Sequence, residues 1–191
     1  VRDAACALRW LQARAAEYGI APGCIGLLGD SAGGQLAEMT ALAGDEPRYL
    51  ERCEEAEAER PAPRFVVSYY GAHDMAAVEA HVDAETRALL PMLVEAGDDF
   101  RAYSPIRFAD RHPEVDFFLS HGTFDRLVPH ESSIAFEAAL REAGHRTALN
   151  VIEGAGHGYL SWLFYLSPFR EEAEPLADAF IRESLARGPR R

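Results

Sequence analysis

A short apolar run that ends in Gly-x-Ser-x-Gly and passes directly into a helix-compatible segment is the tightest constraint in this chain. It reads Cys24-Ile25-Gly26-Leu27-Leu28-Gly29-Asp30-Ser31-Ala32-Gly33-Gly34. The run has the length of a buried strand, and the residues after it are small enough for a helix that packs closely on a sheet. Between the two, the chain must turn sharply enough to expose one serine hydroxyl. Gly29 and Gly33 stand two positions either side of Ser31, where side chains would crowd such a turn. That strand–turn–helix context makes Ser31 the leading candidate for a covalent nucleophile.

The remaining chain alternates between helical and strand patterns. Residues 1–18 carry apolar side chains at three- and four-residue spacings and read as an amphipathic helix stopped by Gly19 and Pro22. Strands are expected at 25–28, 65–70, 115–120 and 147–152, and helices at 32–43, 130–143 and 171–186. Residues 49–60 are acid-rich and read as a solvated face, with Pro61 and Pro63 bracketing a turn. Residues 73–110 show no strand signal, only helical character at 84–95 broken by Pro91. They read as a crossover or cap-like insertion. The stretch 162–169 is aromatic, and 187–191 reads as a frayed tail. Alternation of this kind predicts an α/β fold, a parallel sheet with flanking helices. Ligands bind such a sheet at the carboxyl ends of its strands.

Composition narrows the function classes. With 191 residues, one domain over 1–191 is expected. Acidic residues outnumber basic ones 31 to 19, for a formal charge of −12, which argues against a nucleic-acid or anionic-membrane surface. No uninterrupted apolar stretch reaches the length of a membrane span. Cys6, Cys24 and Cys53 are sparse and odd in number, so reduced thiols are expected rather than a disulfide framework. The chain opens at Val1 inside a helical pattern, without an initiator Met, and reads as cut from something longer. Compartment and oligomeric state are left open.

A serine hydroxyl needs a base in reach, and the base needs a partner that fixes its tautomer. His157 is the best base, because it follows the last expected strand on the loop Gly154-Ala155-Gly156-His157-Gly158. His121, at a strand end, is the nearest rival. The other histidines (73, 81, 112, 130 and 145) read as surface or structural. Asp125 is the best orienter, with Asp74 and Asp110 as weaker alternatives, and it could equally serve only its own turn. Asp30 should point away from the base. The order Ser31, Asp125, His157 is the one expected for a nucleophile elbow on this kind of sheet. The Ala32 N–H, opening a helix, would supply one oxyanion donor. Dinucleotide, phosphate-loop and metal-binding patterns are missing, so neither cofactor nor metal is expected.

Gly29–Gly34, Ser104-Pro105, the run His121-Gly122-Thr123-Phe124-Asp125-Arg126-Leu127-Val128-Pro129 and the Gly154–Gly158 loop resemble the α/β-hydrolase superfamily. They are most similar to its carboxylesterase branch, which includes hormone-sensitive-lipase-like and bacterial feruloyl and acetyl esterases. The resemblance implies ester hydrolysis of a small molecule by a Ser31–His157–Asp125 triad. It also implies an eight-stranded sheet of which this chain carries the last four strands, an α/β-hydrolase fold lacking its N-terminal strands. The second oxyanion donor, from a His-Gly-Gly loop, would lie upstream of Val1, and the fragment alone would be weakly active or inactive. A prolyl-oligopeptidase-type peptidase, an arylformamidase and a catalytically silent interaction domain are the alternatives.

Overall fold

Four parallel strands form one sheet in the order β1-β2-β3-β4: β1 (Leu27–Asp30), β2 (Phe65–Tyr69), β3 (Asp116–Gly122) and β4 (Thr147–Ile152). The computed structural model describes residues 1–21, 23–51, 53–54, 63–93, 98–160 and 167–187. The expected helix stop at Pro22, the turn residue Pro61, most of the acid-rich stretch 49–60, the end of the helical stretch 84–95, most of the aromatic run 162–169 and the tail after Arg187 lie outside the described residues. Seven α-helices accompany the sheet among the described residues: α1 (Arg2–Ala13), α2 (Ala32–Ala43), α3 (Pro47–Leu50), α4 (Met75–His81), α5 (Ala84–Leu89), α6 (His130–Glu142) and α7 (Pro168–Ala186).

The register runs Leu27↔Val66, Val66↔Phe117 and Phe117↔Thr147, so the strands advance together toward one carboxyl edge. β2 and β3 are buried along their whole length, as expected for central strands covered on both faces. On one face Val66, Phe117 and Leu119 pack against Ala37, Ala41 and Leu42 of α2 and Phe136 and Leu140 of α6. On the other, Phe65, Val67 and Phe118 pack against Ala173, Ala177 and Phe180 of α7. Among the described residues β1 has no neighbour on its outer side.

Boundaries shift where local chemistry decides them. β1 starts two residues later than expected. Gly26 lies against the Phe65 ring, where a Cβ would come within 2.3 Å, and the regular ladder begins at Leu27. The first helix breaks at Arg14 into a 3-10 turn, Ala15–Tyr18, closed by Gly19 at φ 67°. α7 begins three residues early, because Pro168 fits the first helical position.

The segment between β2 and β3 starts its helical pieces on aspartates. Asp74 accepts from the Ala76 N–H (2.9 Å), Asp83 from the Thr86 N–H (2.8 Å) and Asp99 from the Arg101 N–H (3.0 Å). Met75, Val78, Val82, Leu90 and Phe100 form a small core of their own, completed by Val128 from the loop after β3. Ser104 closes it, accepting from the Met75 N–H at 2.9 Å and donating to the Arg101 carbonyl at 2.8 Å.

The expectation of reduced thiols is corrected for two of the three cysteines. Cys6 of α1 and Cys53, just beyond α3, form a disulfide with Cα atoms 5.4 Å apart, and Cys24 is free and exposed. The pairing follows from the packing of α1 on α3, which spacing along the chain does not encode. Closing a separation of 47 residues restricts the unfolded chain substantially. Cys6→Ser is expected to lower stability by about 2–4 kcal/mol in urea unfolding, and dithiothreitol should lower the unsubstituted protein by the same amount.

Candidate active site

Ser31 lies between the end of β1 and the first turn of α2 with φ 52° and ψ −124°, a conformation that side chains rarely occupy. Its N–H donates to the Tyr69 carbonyl at 2.9 Å, anchoring the turn to β2. Sterics explain the glycines unequally. A Cβ on Gly29 would fall 2.2 Å from the Gly33 carbonyl oxygen, whereas one on Gly33 would meet nothing. Gly34, rather than Gly33, is the second crowded position, because its Cβ would approach Ser68 Oγ to 2.5 Å. The chain needs glycine where α2 crosses back over β1, and at Gly33 it is free of that demand.

The loops after β3 and β4 bring two side chains to this serine. Ser31 Oγ is 2.8 Å from His157 Nε2, and His157 Nδ1 is 2.7 Å from Asp125 Oδ2. The His157 side chain is 20% exposed and that of Asp125 only 1%, so the imidazole faces the open edge while the carboxylate sits behind it. Nδ1 must donate to the carboxylate, which leaves Nε2 to accept from the serine hydroxyl. A hydroxyl held this way can lose its proton to the ring as it attacks an electrophilic carbon.

Asp125 uses both its oxygens. Oδ1 accepts from the Leu127 and Val128 N–H groups at 2.8 and 2.9 Å, holding its own turn. Oδ2 accepts from His157 and also lies 3.0 Å from His121 Nε2. The turn-holding and base-orienting readings of this aspartate therefore apply together, one to each oxygen. Burial pushes its carboxyl up, but the hydrogen bonds from His121, His157 and the Val128 N–H outweigh burial and hold it well below the usual carboxylate range.

Other residues weighed from the sequence fall elsewhere. Asp74 caps α4, and Asp110 is exposed. His121 does not reach Ser31 as a rival base; it is fully buried behind Asp125. His145 is buried and holds the Val115 and Ala109 carbonyls, and His81 touches the Asp125 carbonyl at 3.2 Å. Asp30 accepts from Tyr70 Oη at 3.0 Å, pointing away from the base. Tyr70 is fully buried at φ 42° and stands edge-on to His157 with ring centroids 5.0 Å apart, so it backs the imidazole. Burial and the Asp30 carboxylate push its phenol up, which keeps it a donor. Ala32 opens α2, where the first N–H groups have no partner within the helix. No group of three or more His, Cys, Asp and Glu among the described residues could hold a metal ion, and no helix among them is long and apolar enough to cross a membrane.

Glu38 and Ser133 went unmarked in the sequence and His73 read there only as surface or structural; the three lie with His121 in a buried polar group behind Asp125. Glu38 carried a signal: it is the lone acid in the apolar stretch 37–43, two helical turns after Ser31.

The chain is similar to known proteins over most of its length. The BD-FAE family model matches residues 1–140. Esterase LipQ of Mycobacterium tuberculosis is 34% identical over 155 residues, which cover 76% of this chain and 35% of LipQ. The probable carboxylic ester hydrolase LipM of the same organism is 33% identical over 151 residues, 73% of this chain and 33% of LipM. Among solved structures, a butyrate-bound thermophilic esterase of Thermogutta terrifontis, Est2, is 30% identical with a TM-score of 0.75, over 95% of this chain and 64% of that one. The same esterase phosphonylated by sarin gives a TM-score of 0.78 at 29% identity, with the same coverage. The chain thus spans about a third of the length of the curated relatives it matches.

Two measurements test the site's physical basis. Gly29→Ala should cost about 2 kcal/mol or more in urea unfolding, and Gly33→Ala should stay within about 0.5 kcal/mol of the parent. A depressed folded-state carboxyl stabilises fully above the unfolded pKa of about 4 and progressively less as pH falls toward the folded value. The stability gap between the parent and Asp125→Asn is therefore expected to be widest near neutral pH and to close below about pH 4.

Proposed function

The chain belongs to the BD-FAE family of α/β-hydrolase esterases, and on that footing we propose that it carries the triad of a serine hydrolase acting on small-molecule carboxylic esters. The observation that carries this reading is the continuous path from the strained turn: Ser31 Oγ to His157 Nε2 at 2.8 Å, then Nδ1 to Asp125 Oδ2 at 2.7 Å. Ser31 attacks the ester carbonyl and passes its proton to His157. Asp125 holds the ring and stabilises the imidazolium that forms. The Ala32 N–H, at the positive end of α2, donates to the developing oxyanion. His157 then returns the proton to the leaving alcohol, which departs, and water attacks the acyl-Ser31 ester with His157 again as base. No cofactor takes part.

In this reading residues 73–110 act as a cap-like insertion. Their small core rests on Val128, and Gln35 of α2 donates to the Tyr103 carbonyl at 2.7 Å. The insertion thus leans on both the aspartate loop and the helix that follows the nucleophile.

In the full-length protein, Ser31→Ala is expected to abolish hydrolysis of short acyl esters and to abolish labelling by a fluorophosphonate. The unsubstituted protein should be labelled at Ser31, as read by peptide mass spectrometry. Labelling elsewhere, or normal turnover by Ser31→Ala, would remove the reading.

A further inference from the structure

Behind Asp125 lie four polar side chains with no part in the ester chemistry: Glu38 from α2, His73 from the β2–α4 loop, Ser133 from α6 and His121 from β3. None is more than 1% exposed. They form a chain of short contacts. Glu38 Oε1 and Oε2 are 2.9 and 3.0 Å from His73 Nδ1. His73 Nε2 is 2.9 Å from Ser133 Oγ, and Ser133 Oγ is 2.6 Å from His121 Nδ1. His121 Nε2 then meets Asp125 Oδ2 at 3.0 Å and the Val128 carbonyl at 3.2 Å.

Donor and acceptor counting fixes the protons. His121 Nε2 faces two acceptors, so it carries a hydrogen. Ser133 has one hydrogen and two imidazole neighbours, so one ring accepts from it and the other donates to it. Burial lowers the pKa of His121, which keeps that ring neutral, so its Nδ1 accepts the serine hydrogen. His73 Nε2 must then donate to Ser133, and His73 Nδ1 shares one proton with the Glu38 carboxylate. The surroundings are built around this path. A Cβ on Gly71 would come within 3.2 Å of both Glu38 Oε1 and His73 Cε1, and Phe136 stacks on the His73 ring at 5.0 Å.

We propose that His121 is a positioning residue for the triad: Ser133, His73 and Glu38 lock it as the neutral Nε2–H tautomer, and it gives Asp125 Oδ2 a permanent second donor. The inference rests on the triad reading above. A carboxylate oxygen that already accepts from His121 holds the His157 proton less strongly than a bare one, so the relay sets how basic His157 is as well as where Asp125 points. The ionisable groups around these two residues are His157 and Tyr159 after β4, His81 of α4, and Glu38 and His73 across Ser133. Tyr70, whose hydroxyl donates to Asp30, faces His157 from the elbow side.

The test uses the full natural chain and the rate of fluorophosphonate labelling of Ser31 from about pH 5 to about pH 9. His121→Asn retains a polar group near the Nδ1 position and loses the donor to Asp125. It is expected to slow labelling about tenfold and to raise the pH of half-maximal rate by about one unit, because His157 keeps its proton to higher pH. His121→Gln, whose amide reaches the Nε2 position, is expected to stay within about threefold of the parent with an unmoved midpoint. An unmoved midpoint in His121→Asn, or equal slowing in both variants, would overturn the proposal. A second arm needs no substitution: 15N NMR of histidine-labelled protein should show His121 as the non-titrating Nε2–H tautomer, and an Nδ1–H or titrating His121 would equally overturn it. Failure of the unsubstituted protein to label at all would sink the triad reading, while the NMR arm would still decide the tautomer.

Discussion

The Asp125 carboxylate is the contact on which the rest of this site depends. An ionised carboxylate offers about four lone-pair positions, and here four donors occupy them. Two backbone N–H groups bind Oδ1, and two imidazoles bind Oδ2. The first pair shapes the turn after β3, and the second pair joins that turn to the loop after β4 and to the protein interior. A buried acid without these donors would protonate or swing out, and the imidazole in front of it would lose its fixed tautomer.

The elbow is a second, steric constraint that meets the first at the same sheet edge. Ser31 can hold a positive φ because α2 crosses back over β1 at Gly29, where any side chain would collide with the Gly33 carbonyl. Tyr70, one strand over, also has positive φ, and its ring backs the imidazole that Ser31 contacts. Two adjacent parallel strands thus end in strained turns at the same level. The core beneath them is apolar on both faces of the sheet, which keeps such turns from relaxing.

α2 does more than present the serine. Its exposed start carries Ser31 and Ala32, and two turns later the same helix places Glu38 in the interior beside His73. α6 supplies Ser133 from the same face of the sheet. The site therefore has a wet side, where His157 is partly exposed, and a dry side where Glu38, His73, Ser133 and His121 are linked to one another by short contacts. Unpaired polar groups are costly in such a dry interior, and the glycine at 71 and the ring of Phe136 fit closely around the linked ones.

The sequence by itself determined the alternation of strands and helices, the position of the serine turn, and the placing of Ser31, Asp125 and His157 each just after a strand. Those features are local. Apolar period, glycine punctuation and loop chemistry are all written in neighbouring residues, and a parallel sheet necessarily brings such strand ends to one edge. Tertiary structure alone decided which side chains meet across elements. Cys6 finds Cys53 only because α1 packs on α3. Gly34 rather than Gly33 is crowded because Ser68 of β2 lies over it. Glu38, His73, Ser133 and His121 form one path only because α2, the β2–α4 loop, α6 and β3 converge behind Asp125. Each looks ordinary in its own segment, and the hydrogen bonds that link the four to one another join residues 12 to 60 positions apart.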